Sequence, residues 1–161
     1  MKEIEWDKFN SLQKQELKSG LMKGLDISWY AKPEYFWLKM SKIKEGLEKG
    51  LDVSWYAKLE FNFEQVREIY KGLEQNLNID WYANPKFDEY QMGQIRLGLE
   101  KNLDVSLYAR EEFNDLQMEQ IRLGLEDKLD VSIYLNPNID YEEMNKIRLN
   151  IEKENIKLKE R

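Results

Sequence analysis

Several residue types that enzymes rely on are missing from this 161-residue chain. It contains no cysteine, no histidine and no threonine. Without cysteine there are no disulfides and no thiolate nucleophiles, and without histidine the commonest general base and transition-metal ligand is missing. No serine lies in a GxSxG, SxxK or GxxxxGK[ST] motif. We therefore predict a non-enzymatic protein with no catalytic residue, no metal site and no cofactor.

Long apolar runs are also absent. No segment approaches the roughly 20 apolar residues that span a bilayer, and the N-terminal MKEIEWDKFN lacks the apolar core of a signal peptide. The composition, 42% hydrophobic and 35% charged, is that of a soluble globular protein. These features predict a cytoplasmic protein with no membrane partner.

Positive charge is scarce in the middle of the chain. Residues 59–145 carry 8 basic and 19 acidic side chains, a net charge of −11, whereas residues 1–58 carry +2 and residues 146–161 carry +3. Nucleic-acid binding requires clustered lysine and arginine that neutralise phosphates, so we predict no direct nucleic-acid partner. An acidic nucleic-acid mimic, which would block the nucleic-acid-binding groove of another protein, stays open as an alternative function.

A 26-residue repeat runs through the chain without a gap. A glycine followed by leucine recurs in five copies, at Gly20, Gly46, Gly72, Gly98 and Gly124. One repeat cannot bury its own apolar face, but stacked repeats can. The period predicts a single domain made of an N-terminal cap (1–8), five full repeats (9–138) and a partial C-terminal capping repeat (139–161).

Each repeat is predicted to contain a long helix and a short one. The long helix, of about 14 residues, begins with an Asx residue followed three residues later by Gln or Glu, a capping box, as at Asn62 and Gln65. It should end near Gly50, Asn76 or Asn102, which tolerate left-handed geometry. No segment shows strict period-two alternation. The predicted fold class is therefore all-α, a right-handed-type α-solenoid of six stacked two-helix repeats.

The glycine in each long helix indicates close packing. Glycine costs about 1 kcal/mol in a helix relative to alanine, so its presence in five copies predicts close approach by another backbone, that of an adjacent helix. We expect that helix to belong to the next repeat. In the sixth copy, where Asn150 replaces the glycine, we expect no such contact.

Two sets of charged residues are predicted to be structural. The aspartate of the recurring phrase LDVS is placed to cap the short helix. Arg96, Arg122 and Arg148 each lie four residues before a glutamate, which favours a lattice of salt bridges over a phosphate-binding stripe.

Tryptophan precedes the repeated tyrosine in the first three repeats, where the later repeats have Leu107 and Ile133. An aliphatic residue would be large enough for a partly buried position. The larger tryptophan side chains therefore predict anchors for a protein partner. The second repeat also replaces its Asx cap with Phe36, followed by Trp37, which breaks a local rule in favour of aromatics. The predicted protein-binding residues are Trp29, Trp37, Trp55 and Trp81.

A second apolar stripe occurs only in the C-terminal half, on helix positions that are polar in the early repeats. It consists of Tyr90, Leu97, Leu116, Leu123 and Leu149. The stripe either packs on the short helices or forms an exposed surface for a partner or a homodimer. A structural homodimerising scaffold is therefore another alternative function.

The phrase QMxxIRxGLExxLDVSxYAxxxF, present in Gln91–Phe113 and largely repeated in Gln117–Ile139, resembles short tandem helical repeats of low-GC bacteria and their mobile elements. The resemblance covers nearly the whole chain and implies a helical-repeat fold without any particular chemistry. Because such repeats occur on mobile elements, it also implies that a phage or mobile-element inhibitor of a host defence system is one function to consider.

Overall fold

The computed structural model describes residues 4–159, and every regular element within that range is helical. Six α-helices each follow a three-residue 3₁₀ helix. The α-helices are α1 (Ser11–Met22), α2 (Trp37–Glu48), α3 (Phe63–Glu74), α4 (Glu89–Glu100), α5 (Asp115–Glu126) and α6 (Tyr141–Lys159). The 3₁₀ helices are Trp6–Lys8, Ile27–Trp29, Val53–Trp55, Ile79–Trp81, Val105–Leu107 and Val131–Ile133. The all-α class and the helical repeat are confirmed.

The chain forms two compact units, one up to Asn76 and one from Leu77 onward. In the first unit α1 packs against α2 and α2 against α3, and in the second α4 packs against α5 and α5 against α6. Consecutive repeats therefore stack within each unit, as in α-solenoid proteins. The first core is built on Leu17, Ile43 and Ile69, and the second on Ile95 and Ile121, all fully buried.

The helices begin and end where the sequence indicates. Capping boxes open α1, α3, α4 and α5, whereas Phe36 leaves α2 without a side-chain cap. A residue with φ between 54° and 69° follows each of the first five helices: Gly24, Gly50, Asn76, Asn102 and Lys128. This left-handed residue ends each helix after 12 residues, slightly short of the predicted length.

The glycine within the helix contacts its own repeat. The hydroxyl oxygen of Tyr56 occupies the place where a Cβ on Gly46 would lie, and Val53 Cγ1 would be only 3.1 Å from that atom. The expectation that the backbone of the next repeat makes this contact is wrong. Side-chain atoms of the same repeat make it, because the 3₁₀ helix folds back onto the helix that precedes it. At Asn150 the chain does not fold back: α6 continues as a helix to Lys159.

Buried glutamines join consecutive repeats. The Gln13 side chain accepts the backbone N–H of Asn10 at 2.9 Å and donates to the carbonyl of Tyr35 in the next repeat at 2.7 Å. Gln117 donates in the same way to the carbonyl of Ile139 at 2.7 Å. One side chain therefore closes the capping box of its own helix and holds the loop of the following repeat.

The arginine ladder also joins repeats. Arg96 pairs with Glu100 and Arg122 with Glu126, which confirms two of the three predicted i,i+4 salt bridges. Arg148 instead lies 3.8 Å from Asp127. Arg122 Nε additionally donates to Gln94 Oε1 on α4 at 2.8 Å. Arg148 reaches back to α5 and donates to Gln120 Oε1 at 3.1 Å, so these cations serve packing between helices.

Candidate protein-binding surface

Trp29, Trp55 and Trp81 each end a 3₁₀ helix, directly before the buried tyrosine of the repeat. A 3₁₀ helix has three residues per turn, so residues three apart point the same way. Ile27 and Tyr30 accordingly face the core, whereas Trp29 between them points away and is 37% exposed. Trp81 is 41% exposed and Trp55 is partly buried. Trp29 and Trp55 thus occupy equivalent positions in two stacked repeats of the first unit, and Trp81 belongs to the second.

The aspartates of the LDVS phrase hold these turns in place. Asp26 and Asp52 each accept the backbone N–H two residues later, from Ser28 and Ser54, at 3.1 Å. The hydrogen bonds from Ser28 hold the pKa of Asp26 below its ordinary value. The predicted capping role is confirmed, and its consequence is a fixed turn that presents the tryptophan outward.

Aromatic side chains cluster at the start of α2. Phe36 takes the N-cap position without a side-chain hydrogen bond and is 59% exposed. Its ring lies 5.9 Å from that of Trp37, tilted by 57°. Trp37 is partly buried, so Phe36, rather than the predicted anchor Trp37, presents the larger exposed fraction at this helix end.

A lysine, Lys39, stands at this helix end in place of the buried glutamine that holds the loop of the following repeat in other repeats. Lys39 Nζ donates to the carbonyl of Phe61 at 2.7 Å and to the carbonyl of Lys58. The Nζ atom also lies 4.3 Å from the centroid of the Tyr35 ring. The side chain is only 5% exposed. Burial, assisted by the charge of Lys32, lowers the pKa of Lys39 to about 8. Lys39 therefore keeps the hydrogen bond to the following repeat but buries an amine.

The two most exposed large apolar residues that the structure describes in the first unit are missing from the sequence prediction. Met22 is 83% exposed and Leu59 is 64% exposed. Met22 stands where every later repeat has glutamate, and Leu59 stands where three other repeats have proline. Searching each repeat position for single departures from its usual residue would have found both.

The second stripe is only partly open. Tyr90 is 65% exposed, Leu116 39% and Leu149 37%, whereas Leu97 and Leu123 are partly buried. These residues come from α4, α5 and α6, which pack in sequence. The three exposed residues are accessible to a partner or to a second copy of the chain, as a second contact surface requires.

The carboxyl group of Glu45 has a strongly lowered pKa, and its hydrogen-bond partners explain the shift by packing between helices. The pKa of Glu45 is lowered to about 2 by hydrogen bonds from Lys42 and Tyr70, and the Tyr70 hydroxyl donates to it at 2.6 Å. Burial and this same contact raise the pKa of Tyr70 to about 12. The network links α2 to α3, and within residues 4–159 no group of three or more acidic side chains is arranged to hold a metal ion.

Comparison of the chain with protein-family models, with curated proteins and with solved structures gave no match. In the part of the chain that the structure describes, no helix is long and apolar enough to cross a membrane. The surface residues described above are therefore the basis for assigning a function.

Proposed function

We propose that this protein is a non-enzymatic helical-repeat protein that binds another protein through aromatic side chains of its turns and of the α2 N-terminus. The observation that carries the proposal is Phe36, an exposed aromatic residue at a helix start that lacks its cap. Losing a cap typically costs about 1 kcal/mol. A ring that is more than half exposed recovers little of that cost in folding, which supports a role in binding.

The tryptophans support the same function. Leu107 and Ile133 occupy the same turn position in later repeats, so the fold needs only an aliphatic residue there. Trp29 and Trp81 remain more than one-third exposed and offer large apolar area to a partner. Tryptophan is enriched among the residues that dominate binding energy at protein interfaces.

The acidic charge gives less support to nucleic-acid mimicry. Glu126 is engaged by both Arg122 and Lys101, and Glu100 is paired with Arg96. Carboxylates held by such pairs are poorly placed to imitate phosphates. Anchoring by aromatics is therefore the function that we favour.

The class of partner follows from the resemblance of the repeats to those of mobile elements. A component of a host defence system in the cytoplasm is the first partner class to test, with the protein acting as its inhibitor. Self-association through Tyr90, Leu116 and Leu149 would be a second interaction.

The experiment is affinity capture with the full chain and two matched variants. Trp29→Leu/Trp55→Leu places in both turns the aliphatic residue of repeat four, and Ile133→Ala changes the equivalent turn of repeat five as a control. We expect the wild type and the control to capture the same partner protein. The affinity of that partner for the double variant should be at least about tenfold lower. Circular dichroism should show the same helix content in all three.

The salt dependence of binding distinguishes aromatic anchoring from contacts made by exposed charges. Aromatic anchoring should persist between about 0.1 M and 1 M salt, whereas contacts between exposed charges weaken as the screening length falls from about 10 Å to about 3 Å. Equal capture by wild type and double variant would contradict the proposal. Binding that the double variant retains and that disappears at high salt would show that charge contacts carry the interaction, as nucleic-acid mimicry requires.

A further inference from the structure

A groove beside Trp81 brings an exposed indole and three carboxylates together in the second unit. Its volume is about 450 Å³, and Asp80, Glu111 and Glu112 contribute to its lining. Trp81 is 41% exposed, and Phe87, which also lines the groove, is buried. The groove is therefore partly aromatic and partly acidic.

Two of these carboxylates are departures from the repeat. Asp80 stands where the other full repeats have serine: Ser28, Ser54, Ser106 and Ser132. Glu111 stands where the others have an uncharged residue: Pro33, Leu59, Pro85 and Pro137. Both changes bring negative charge to the same groove, although the 3₁₀ turn itself forms equally well with serine.

The cations near the groove leave it acidic. Arg110 donates from Nη2 to the carbonyl of Leu107 at 2.7 Å, and its guanidinium lies 5.2 Å from the Phe113 ring centroid. It also approaches Glu112 at 3.7 Å. Lys86 lies 3.2 Å from Glu111. Three carboxylates therefore face two cations: Glu111 is paired with Lys86, Glu112 with Arg110, and Asp80 lies outside both pairs.

We propose that this groove binds a lysine or arginine side chain in a basic segment of a partner protein. The inference rests on the proposed function, since it names the kind of segment that a protein partner would present. A cation over the indole face of Trp81 gains a cation–π interaction. Asp80 supplies a charge-assisted hydrogen bond, and Glu111 adds negative charge, because its exposed pair with Lys86 is a weak one. A volume of 450 Å³ lies within the range of side-chain and ligand sites.

The first repeat supplies an internal control. Trp29 is a similarly exposed tryptophan, but Ser28 and Leu59 occupy the positions of Asp80 and Glu111. Lys32 and Lys58 occupy the positions of Asn84 and Arg110. Glu60 keeps the position of Glu112, so the same chain offers an exposed indole whose corresponding positions hold one carboxylate and two lysines.

The test is a peptide titration followed by NMR on the ¹⁵N-labelled full chain. The probes are acetyl-Gly-Arg-Gly-Arg-Gly-amide and its glutamate counterpart. The five tryptophans give five indole N–H signals, and Trp81→Leu identifies that of Trp81. We expect the arginine peptide to shift this signal with a dissociation constant on the order of 1 mM, to leave the Trp29 signal in place, and to bind more weakly as salt rises. The glutamate peptide should shift neither signal.

Asp80→Ser/Glu111→Pro restores the usual residues of the repeat and should weaken binding of the arginine peptide about tenfold with an unchanged circular dichroism spectrum. The inference fails if there is no shift, if both peptides shift Trp81 equally, if Trp29 responds as strongly, or if the double variant binds as tightly as wild type. Failure here, with capture still dependent on Trp29 and Trp55, would leave the proposed function standing. The reverse pattern, a groove that binds the arginine peptide in a protein whose capture does not depend on Trp29 and Trp55, would remove the tryptophans of the first unit from the binding surface.

Discussion

The hydroxyl oxygen of Tyr56 fills the space in which a Cβ atom on Gly46 would lie. The same relationship joins Gly20 to Tyr30, Gly98 to Tyr108 and Gly124 to Tyr134. Tyr56 is fully buried, so neither its ring nor the helix backbone can move aside cheaply in a close-packed core. The glycine therefore lets the turn of each repeat close onto its own helix.

We expect Gly46→Ala to lower the free energy of unfolding by about 1 to 3 kcal/mol, the usual cost of overpacking. Tyr56→Phe removes the overlapping oxygen and loses only a long hydrogen bond of 3.5 Å to the Lys42 carbonyl. The double variant should therefore be more stable than the sum of the single changes predicts, by at least about 0.5 kcal/mol. Urea denaturation of the four proteins measures this coupling.

Gly50→Ala is the matched control for that cycle. Gly50 has a φ of 69° and no atom within 4 Å of an added Cβ. Its substitution should cost about 1 kcal/mol through backbone strain and show no coupling to Tyr56→Phe. Strict additivity between Gly46→Ala and Tyr56→Phe would contradict the packing argument.

Lys39→Gln should stabilise the protein at neutral pH. The folded-state pKa of Lys39 is about 8 and its ordinary value is 10.5, so below pH 8 the folded state must hold a buried charge that the unfolded state solvates. Between these values the unfolded state binds more protons, and wild-type stability rises with pH. The advantage of Lys39→Gln should therefore be largest below pH 8, on the order of 1 to 3 kcal/mol, and shrink toward pH 10.5.

Thermal or urea unfolding of wild type and Lys39→Gln across this pH range measures the difference between their free energies of unfolding. The contributions of all other titrating groups cancel in that difference. Gln117→Lys provides the reverse change in repeat five and should lower stability at pH 7. An advantage of Lys39→Gln that does not change with pH would show that the amine charge is not the cause.

Phe36→Asn should separate stability from binding. Asparagine is the cap residue of α1, α3 and α5, so the substitution supplies the missing cap of α2 and should add about 1 kcal/mol to the free energy of unfolding. The same change removes an exposed ring and should weaken capture of the protein partner. Asn62→Ala, which removes a cap without touching an aromatic residue, should lower stability and leave capture unchanged.

Stability and capture are measured on the same preparations. A Phe36→Asn variant that is more stable and binds as well as wild type would remove Phe36 from the binding surface. A variant that is less stable would show instead that Phe36 contributes to the core of the first unit.

The sequence by itself determined the repeat, the helix boundaries and the caps, because these are local properties. An Asx residue three positions before Gln65 or Gln117 can close a capping box within a single turn. A glycine or asparagine at position 50, 76 or 102 is enough to end a helix in left-handed geometry. The arginine pairs on α4 and α5 are likewise set by a spacing of four residues.

Only the tertiary structure decided what the repeated glycine contacts and which apolar side chains remain exposed. The period shows that Gly46 needs room, but the segment that fills it depends on the direction in which the 3₁₀ turn folds back. Exposure is decided in the same way. Leu107 and Ile133 share a repeat position, yet Ile133 is 57% exposed and Leu107 is partly buried, because burial depends on the neighbours that packing brings to each side chain.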